Sequence, residues 1–135
     1  MAIWGIVEGN LAKQPEMKTV KVDGQPKQIV ELSLFSDVRR KSGDEWVQDD
    51  EKSGYVEATI WQEKLGEAVF KHLTKGARVE VKGDIHLHRY TNSAGQQDSI
   101  QRISADSVTL ALYRIENITF KPSRRAQQQA EPADA

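Results

Sequence analysis

Three aromatic residues, Tyr55, Trp61 and Tyr90, occupy positions in strand-like segments that the local alternation turns away from the apolar neighbours, and Arg78, Lys82, His88 and Arg89 border them. A flat aromatic ring stacks on any nucleobase for roughly 1–3 kcal/mol per base, while lysine and arginine beside it follow the phosphates. This combination suits a single strand of nucleic acid whose sequence is not read. The same residues also suit a sheet edge or a subunit interface, where tyrosine and tryptophan are enriched. The run Arg39, Arg40 and Lys41 and the nearby Trp46 are further candidates for phosphate and base contact, with a solvated loop as the plainer alternative.

Bond-breaking chemistry has weaker support. Asp44, Glu45, Asp49, Asp50 and Glu51 are numerous enough to hold a divalent cation, as a metal-dependent nuclease would need. They lack the spaced ligands and turn glycine of a calcium loop, so a solvated acidic loop is the better reading. His86 and His88, two apart on a strand, share a face but have no third ligand in view, and are assigned to the phosphate-facing surface. His72, at helical spacing, reads as packing. The absence of cysteine removes disulfides, thiolate metal sites and cysteine nucleophiles together. No glycine-rich phosphate loop or nucleophile elbow is present. A binding protein without enzymatic activity, cofactor or metal is therefore expected.

The elements that must position these groups are visible as periodicities. Ile3 to Leu11 mixes β-branched and aromatic residues with Gly5 and Gly9, as a strand that bends or meets another backbone closely would do, and Trp4 within it reads as packing against core or neighbour. Val20 and Val22 alternate with polar residues, Asp23-Gly24 supplies a tight turn, and residues 29–35 resume as a strand, which together predict a hairpin. Val30, Leu32 and Leu34 share its buried side, opposite Glu31 and Ser33. Residues 39–54 show no sustained period and read as a long polar loop. Residues 55–61 alternate again, with Val56, Ala58 and Ile60 inward. Leu65, Ala68, Val69, His72 and Leu73 then recur at helical spacing over residues 62–74, with Gly76 as the expected C-terminal cap. In residues 78–90, Val79, Val81, Ile85 and Leu87 face inward, while Arg78, Lys82, His86, His88 and Tyr90 share the other side. Ala94-Gly95 makes a turn, and the last strand, residues 99–112, changes parity between Ile103 and Val108, which predicts a bulge.

Three strand regions, one helix and two further strands give an all-β fold: a five-stranded Greek-key barrel of the OB type, with its helix between strands 3 and 4. A sandwich would not need the helix, and a ferredoxin-like fold would need a second one. The 135 residues, 38% of them hydrophobic, suffice for one domain over residues 1–120. Residues 121–135, rich in Pro, Ser, Arg, Gln and Ala, read as a disordered tail. Net charge is −1, and residues 1–120 hold 16 Lys plus Arg against 18 Asp plus Glu, so any basic surface must be local. No stretch is apolar enough for a membrane helix or signal peptide, so a cytoplasmic chain is expected.

In order along the chain stand Gly9-Asn10-Leu11, Pro15-Glu16, Trp61, Leu65-Gly66-Glu67, Leu73 to Val79, Val81-Lys82-Gly83, and Arg89-Tyr90-Thr91 ahead of Gly95. From Ile3 to about Leu112 these residues resemble the bacterial single-stranded DNA-binding protein family, whose members coat replication, recombination and repair intermediates as tetramers. The resemblance implies that Tyr55, Trp61 and Tyr90 stack bases, that Lys64, Lys75, His88 and Arg89 lie near phosphates, and that the chain forms a homo-oligomer, a tetramer or else a dimer. Three departures stand out: a fourth family stacking tryptophan is replaced near Arg39, one residue is inserted around Gln62-Glu63, and the tail is short. The chain ends Ala-Glu-Pro-Ala-Asp-Ala without the acidic, hydrophobic-tipped stretch that recruits replication and repair proteins, so such recruitment is expected to be weak or absent. That ending resembles versions carried on plasmids, phages or mobile islands, or the primosomal relative that meets DNA alongside a protein partner. An OB domain acting purely as a protein-interaction module is the remaining alternative.

Overall fold

Asp23 and Gly24 both adopt positive φ, 52° and 78°, which matches the right-handed twist of a two-residue hairpin and joins β2 (Glu16–Val22) to β3 (Gln25–Ser36). The computed structural model in which this turn is seen describes residues 3–125. The other elements are β1 (Ile3–Leu11), β4 (Arg39–Ser42), β5 (Glu45–Gln48), β6 (Gly54–Ile60), helix α1 (Glu63–His72), β7 (Arg78–Thr91), β8 (Gln97–Leu110) and a 3-10 turn (Leu112–Arg114). The main sheet runs β1-β7-β8-β6-β3-β2, and a short β1–β3 pairing at Asn10/Phe35 and Leu11/Leu34 brings its ends together. Five strands, β1, β3, β6, β8 and β7, thus form the barrel, with β6 and β8 parallel and the other pairs antiparallel, and α1 stands between the third and fourth of them in chain order. This is the OB arrangement expected from the sequence, with β2 added as a flank on β3.

Two close backbone approaches make that barrel possible. A Cβ on Gly9 would stand 2.5 Å from the Phe35 carbonyl oxygen, where β1 meets β3, so only glycine lets the ends close. A Cβ on Gly83 would stand 1.9 Å from the Ser104 carbonyl oxygen. Gly83 lies at the register shift between β7 and β8: Gly83 faces Ala105 while Lys82 faces Ser107, leaving Asp106 extra. That is the bulge the parity change predicted, and it bends the two long strands into the barrel wall. Leu11, Val30, Leu32, Leu34, Ala58, Ile60, Val79, Val81 and Ile103 fill the interior with Val69 from α1 and Leu73 just past its end.

Several local expectations are corrected. Residues 39–54 are not one loop: β4 and β5 form a separate two-stranded ribbon, Arg39↔Gln48 to Ser42↔Glu45, turning at Gly43 (φ 64°). The helix ends at His72 with Leu73 already extended, and Gly76 (φ 93°) serves the next turn, its N–H donating 2.8 Å to the Leu11 carbonyl, instead of capping the helix. His72 is exposed, not packed: it is the last residue of α1, at the edge of the apolar arc that Gly66 and Val69 bury. Leu87 is 45% exposed: the β7–β8 hairpin runs on past the barrel wall, so neither of its faces is covered there. Trp4 is not in the core: it is exposed on the barrel exterior, its Nε1 donating 3.1 Å to Asp106, which leaves packing against a neighbour as its alternative.

Candidate nucleic-acid interface

On β6 the outward positions are Tyr55, Glu57 and Thr59, and Trp61 follows the strand on the same parity, about 20 Å from Tyr55 at ~3.3 Å per residue. Across β3, Phe35 lies opposite Tyr55, and the two rings meet edge to face with centroids 5.1 Å apart. Across β8, Ile100 precedes Gln101, the partner of Val56, and pairs with His88 of β7. His88 in turn stacks on Tyr90, 6.0 Å apart and 11° from parallel. Tyr55, Leu87, Tyr90, Ser99, Ile100 and Gln101 line one shallow depression of about 440 Å³. The outer face therefore carries a band of flat and apolar surfaces running Phe35, Tyr55, Ile100, His88, Tyr90. Tyr55 is 60% exposed, Trp61 41% and Tyr90 39%, so each has a ring face open to a visiting base.

Phe35 was not singled out from the sequence, although it shares parity with Glu31 and Ser33 and so was readable as outward-facing. Ile100 was missed because a lone isoleucine in a polar strand reads as core. The Tyr90 hydroxyl donates to Asp98 Oδ2 at 3.3 Å, and desolvation together with the Asp98 charge raises its pKa, so Tyr90 stays neutral at physiological pH. Ion pairs interrupt the face between Tyr55 and Trp61: Glu57 accepts from Arg102 Nε at 2.9 Å, and Glu31 of β3, opposite Thr59, accepts from Lys18 Nζ at 2.8 Å.

The cations are spread unevenly. Lys64 is exposed at the start of α1 near Trp61 in sequence, and Lys75 is exposed in the turn beside the end of β1, its backbone N–H held by Gln14. Arg89 is exposed on the opposite side of the β7–β8 hairpin from His88 and Tyr90. Lys82 lies about 26 Å along β7 from Tyr90, across from Ile6 of β1, with Glu80 at 3.6 Å. On the ribbon, Lys41 faces Trp46 directly and Arg39 shares their side, with Arg40 on the other; all four are exposed. Arg78 differs from all of these. Its guanidinium donates to Asp37 at 2.5 Å, Asn10 at 2.7 Å and Glu8 at 3.1 Å, and its side chain is only 16% exposed. Burial alone would lower its pKa, but the bonds to Asp37 and Glu8 more than reverse this and raise it. Among the described residues, no three metal-ligating side chains gather, so neither the acidic run nor the His86/His88 pair is part of a larger cluster.

With this geometry in view, comparison with known proteins is decisive for kinship. The single-strand binding protein family model matches residues 5–111. The chain belongs to that family. A single-stranded DNA-binding protein of Treponema pallidum is 30% identical over 91% of this chain and 69% of its own length, and one of Rickettsia conorii 28% over 68% and 58%. Among solved structures, the small single-stranded DNA-binding protein from Streptomyces coelicolor superposes with a TM-score of 0.70 at 20% identity, covering 83% of this chain and 96% of that one. A Plasmodium falciparum member solved with single-stranded DNA gives 0.56 at 20% identity, over 82% and 91%. These two likenesses establish the shared fold.

Proposed function

We propose that this family member binds single-stranded DNA without reading its sequence, and that it holds and protects exposed strands during replication, recombination or repair. The observation that carries the reading is the aromatic band on the barrel exterior, where Phe35, Tyr55, His88 and Tyr90 adjoin in two ring pairs with Ile100 between them. Bases stack on this band and on Trp61 and Trp46, and the strand's phosphates meet Arg39, Arg40, Lys64, Lys75, His88 and Arg89. The family membership and the names of the relatives support the ligand, and the even mix of charges supports binding that depends on stacking more than on bulk electrostatics. No helix among the described residues is long and apolar enough to cross a membrane.

Assembly into a homo-oligomer, a tetramer or a dimer, belongs to the same proposal. Trp4 and Ile6 stand 58% and 55% exposed side by side along the outer face of β1, and an apolar pair of that size on a strand is what a second copy would cover. Light scattering on the purified chain measures this directly.

The binding reading is tested by titrating tryptophan emission with oligo-dT, oligo-U and a duplex of equal length at two salt concentrations. Quenching by oligo-dT but not by the duplex, weakened by salt, is expected. Absence of single-strand binding would leave the barrel as a protein-interaction module.

A further inference from the structure

Arg78 ties the root of the β4–β5 ribbon and, through Glu8, the turn after β8 to the paired β1–β7 edge of the barrel. Asp37, its nearest partner, lies between β3 and β4, at the root of the ribbon that carries Arg39, Arg40, Lys41 and Trp46. The rest of that root is knitted locally: the Val38 N–H donates to Ser53 Oγ at 2.8 Å, Ser53 Oγ donates back to the Val38 carbonyl at 3.2 Å, and the Asp49 N–H donates to the same carbonyl at 2.7 Å. These bonds fix the two sides of the root to each other, and the Ser36↔Gly54 pair of the β3–β6 ladder anchors it from below; Asp37–Arg78 adds the sideways tie to β7. On the other flank Glu8 accepts from Arg78 and, at 2.8 Å, from the Tyr113 hydroxyl in the turn that follows β8. A cleft of about 540 Å³ between these parts is lined by Asn10, Asp37, Arg39, Arg78, Tyr113 and Arg114. With three acceptors engaged and most of its surface covered, the Arg78 guanidinium has little left to offer a phosphate. A planar fork is also what three fixed acceptors require, and an ammonium does not replace it.

We propose that Arg78 is a positioning residue: through Asp37 it sets the orientation of the β4–β5 ribbon over the aromatic band, so that Trp46 and the ribbon cations meet the bound strand. This rests on the single-strand reading above. It makes opposite demands from a phosphate contact. Asp37 also stands 3.8 Å from Arg39, so if Arg78 met the strand directly, removing Asp37 would release both cations and tighten binding, and Arg78→Lys would bind much as wild type. If Arg78 positions the ribbon, both changes weaken binding.

The test uses Asp37→Asn and Arg78→Lys in the full chain, with two readouts. In a Trp4→Phe, Trp61→Phe background without DNA, Trp46 anisotropy reports ribbon mobility and is expected to fall in both variants. In otherwise wild-type chains, oligo-dT affinity is expected to drop about tenfold, the worth of one stacked base. The slope of log affinity against log salt is expected to flatten by about 1.4, since Arg39 and Arg40, the ribbon cations that meet phosphates, each contribute ~0.7 on a single strand. Tighter binding by Asp37→Asn, wild-type binding by Arg78→Lys, or a fall in anisotropy with affinity unchanged would each overturn the proposal. Should wild type not bind oligo-dT at all, the single-strand reading fails, while Trp46 anisotropy without DNA still decides whether Arg78 and Asp37 hold the ribbon.

Discussion

Replacing Tyr55 with alanine removes the centre of the aromatic band, and its effects on folding and on binding separate cleanly. The side chain is 60% exposed and its one aromatic neighbour is Phe35, met edge to face at 5.1 Å. Losing such a pair costs at most about 0.5–1.5 kcal/mol, which for a domain of this size lowers Tm by roughly 2–6 °C. Losing a stacked base costs about 1–3 kcal/mol, or roughly 5- to 150-fold in affinity. Tyr55→Ala is therefore expected to stay folded and to bind oligo-dT at least about fivefold more weakly, with the salt slope unchanged because no cation is lost. Tyr55→Phe keeps the ring and is expected to bind within about twofold of wild type. The assay is fluorescence titration at matched salt beside a thermal melt. Wild-type affinity in a folded Tyr55→Ala protein would refute stacking at this position, and a loss of affinity with a flattened salt slope would mean that Tyr55 acts by arranging cations.

Glu57→Gln releases Arg102 on the same face, so binding is expected to tighten and the salt slope to steepen by about 0.7; unchanged binding would place the strand off this part of β6. Gly83→Ala drives a Cβ into the Ser104 carbonyl at the bulge and is expected to cost about 3 kcal/mol or more, near 10 °C in Tm, whereas Gly54→Ala meets nothing within 4 Å and serves as the control melt. Acid stability reports the Arg78 cluster. The Arg78 hydrogen bond holds Asp37 below its ordinary 3.8, and the Tyr113 and Arg78 hydrogen bonds hold Glu8 below 4.5. Both carboxylates thus stabilise the fold above those ordinary values, and this contribution is lost as pH falls from about 4.5 through their depressed folded values. Denaturant melts from pH 6 to pH 2.5 are expected to show a shallower acid decline in Asp37→Asn than in wild type.

Where one side of a strand is buried, the alternation of residue types was enough to place side chains. Val56, Ala58 and Ile60 went in and Tyr55, Glu57 and Thr59 went out, and the parity change before Val108 located the bulge. The β4–β5 ribbon escaped because each strand has four residues and both faces meet solvent, so no apolar period exists to be read; only Ser42-Gly43-Asp44 marked its turn. For the same reason Leu87 was assigned inward on a hairpin that had already left the barrel. Gly76 misled as a helix cap because a positive-φ glycine after a helix serves equally well in the next turn. Arg78 had the right parity for the outer surface, but its partners Glu8 and Asp37 lie 70 and 41 residues away, and nothing in local pattern announces a contact at that separation.

The most direct test of a single strand carried across the aromatic band is backbone and side-chain NMR of labelled protein titrated with oligo-dT. Shifts concentrated at Phe35, Tyr55, His88, Tyr90 and Ile100, with Trp46 and Trp61 indoles following, are the expected result. Shifts confined to Trp4, Ile6 and the rest of the β1 exterior, with the band unmoved, would contradict it.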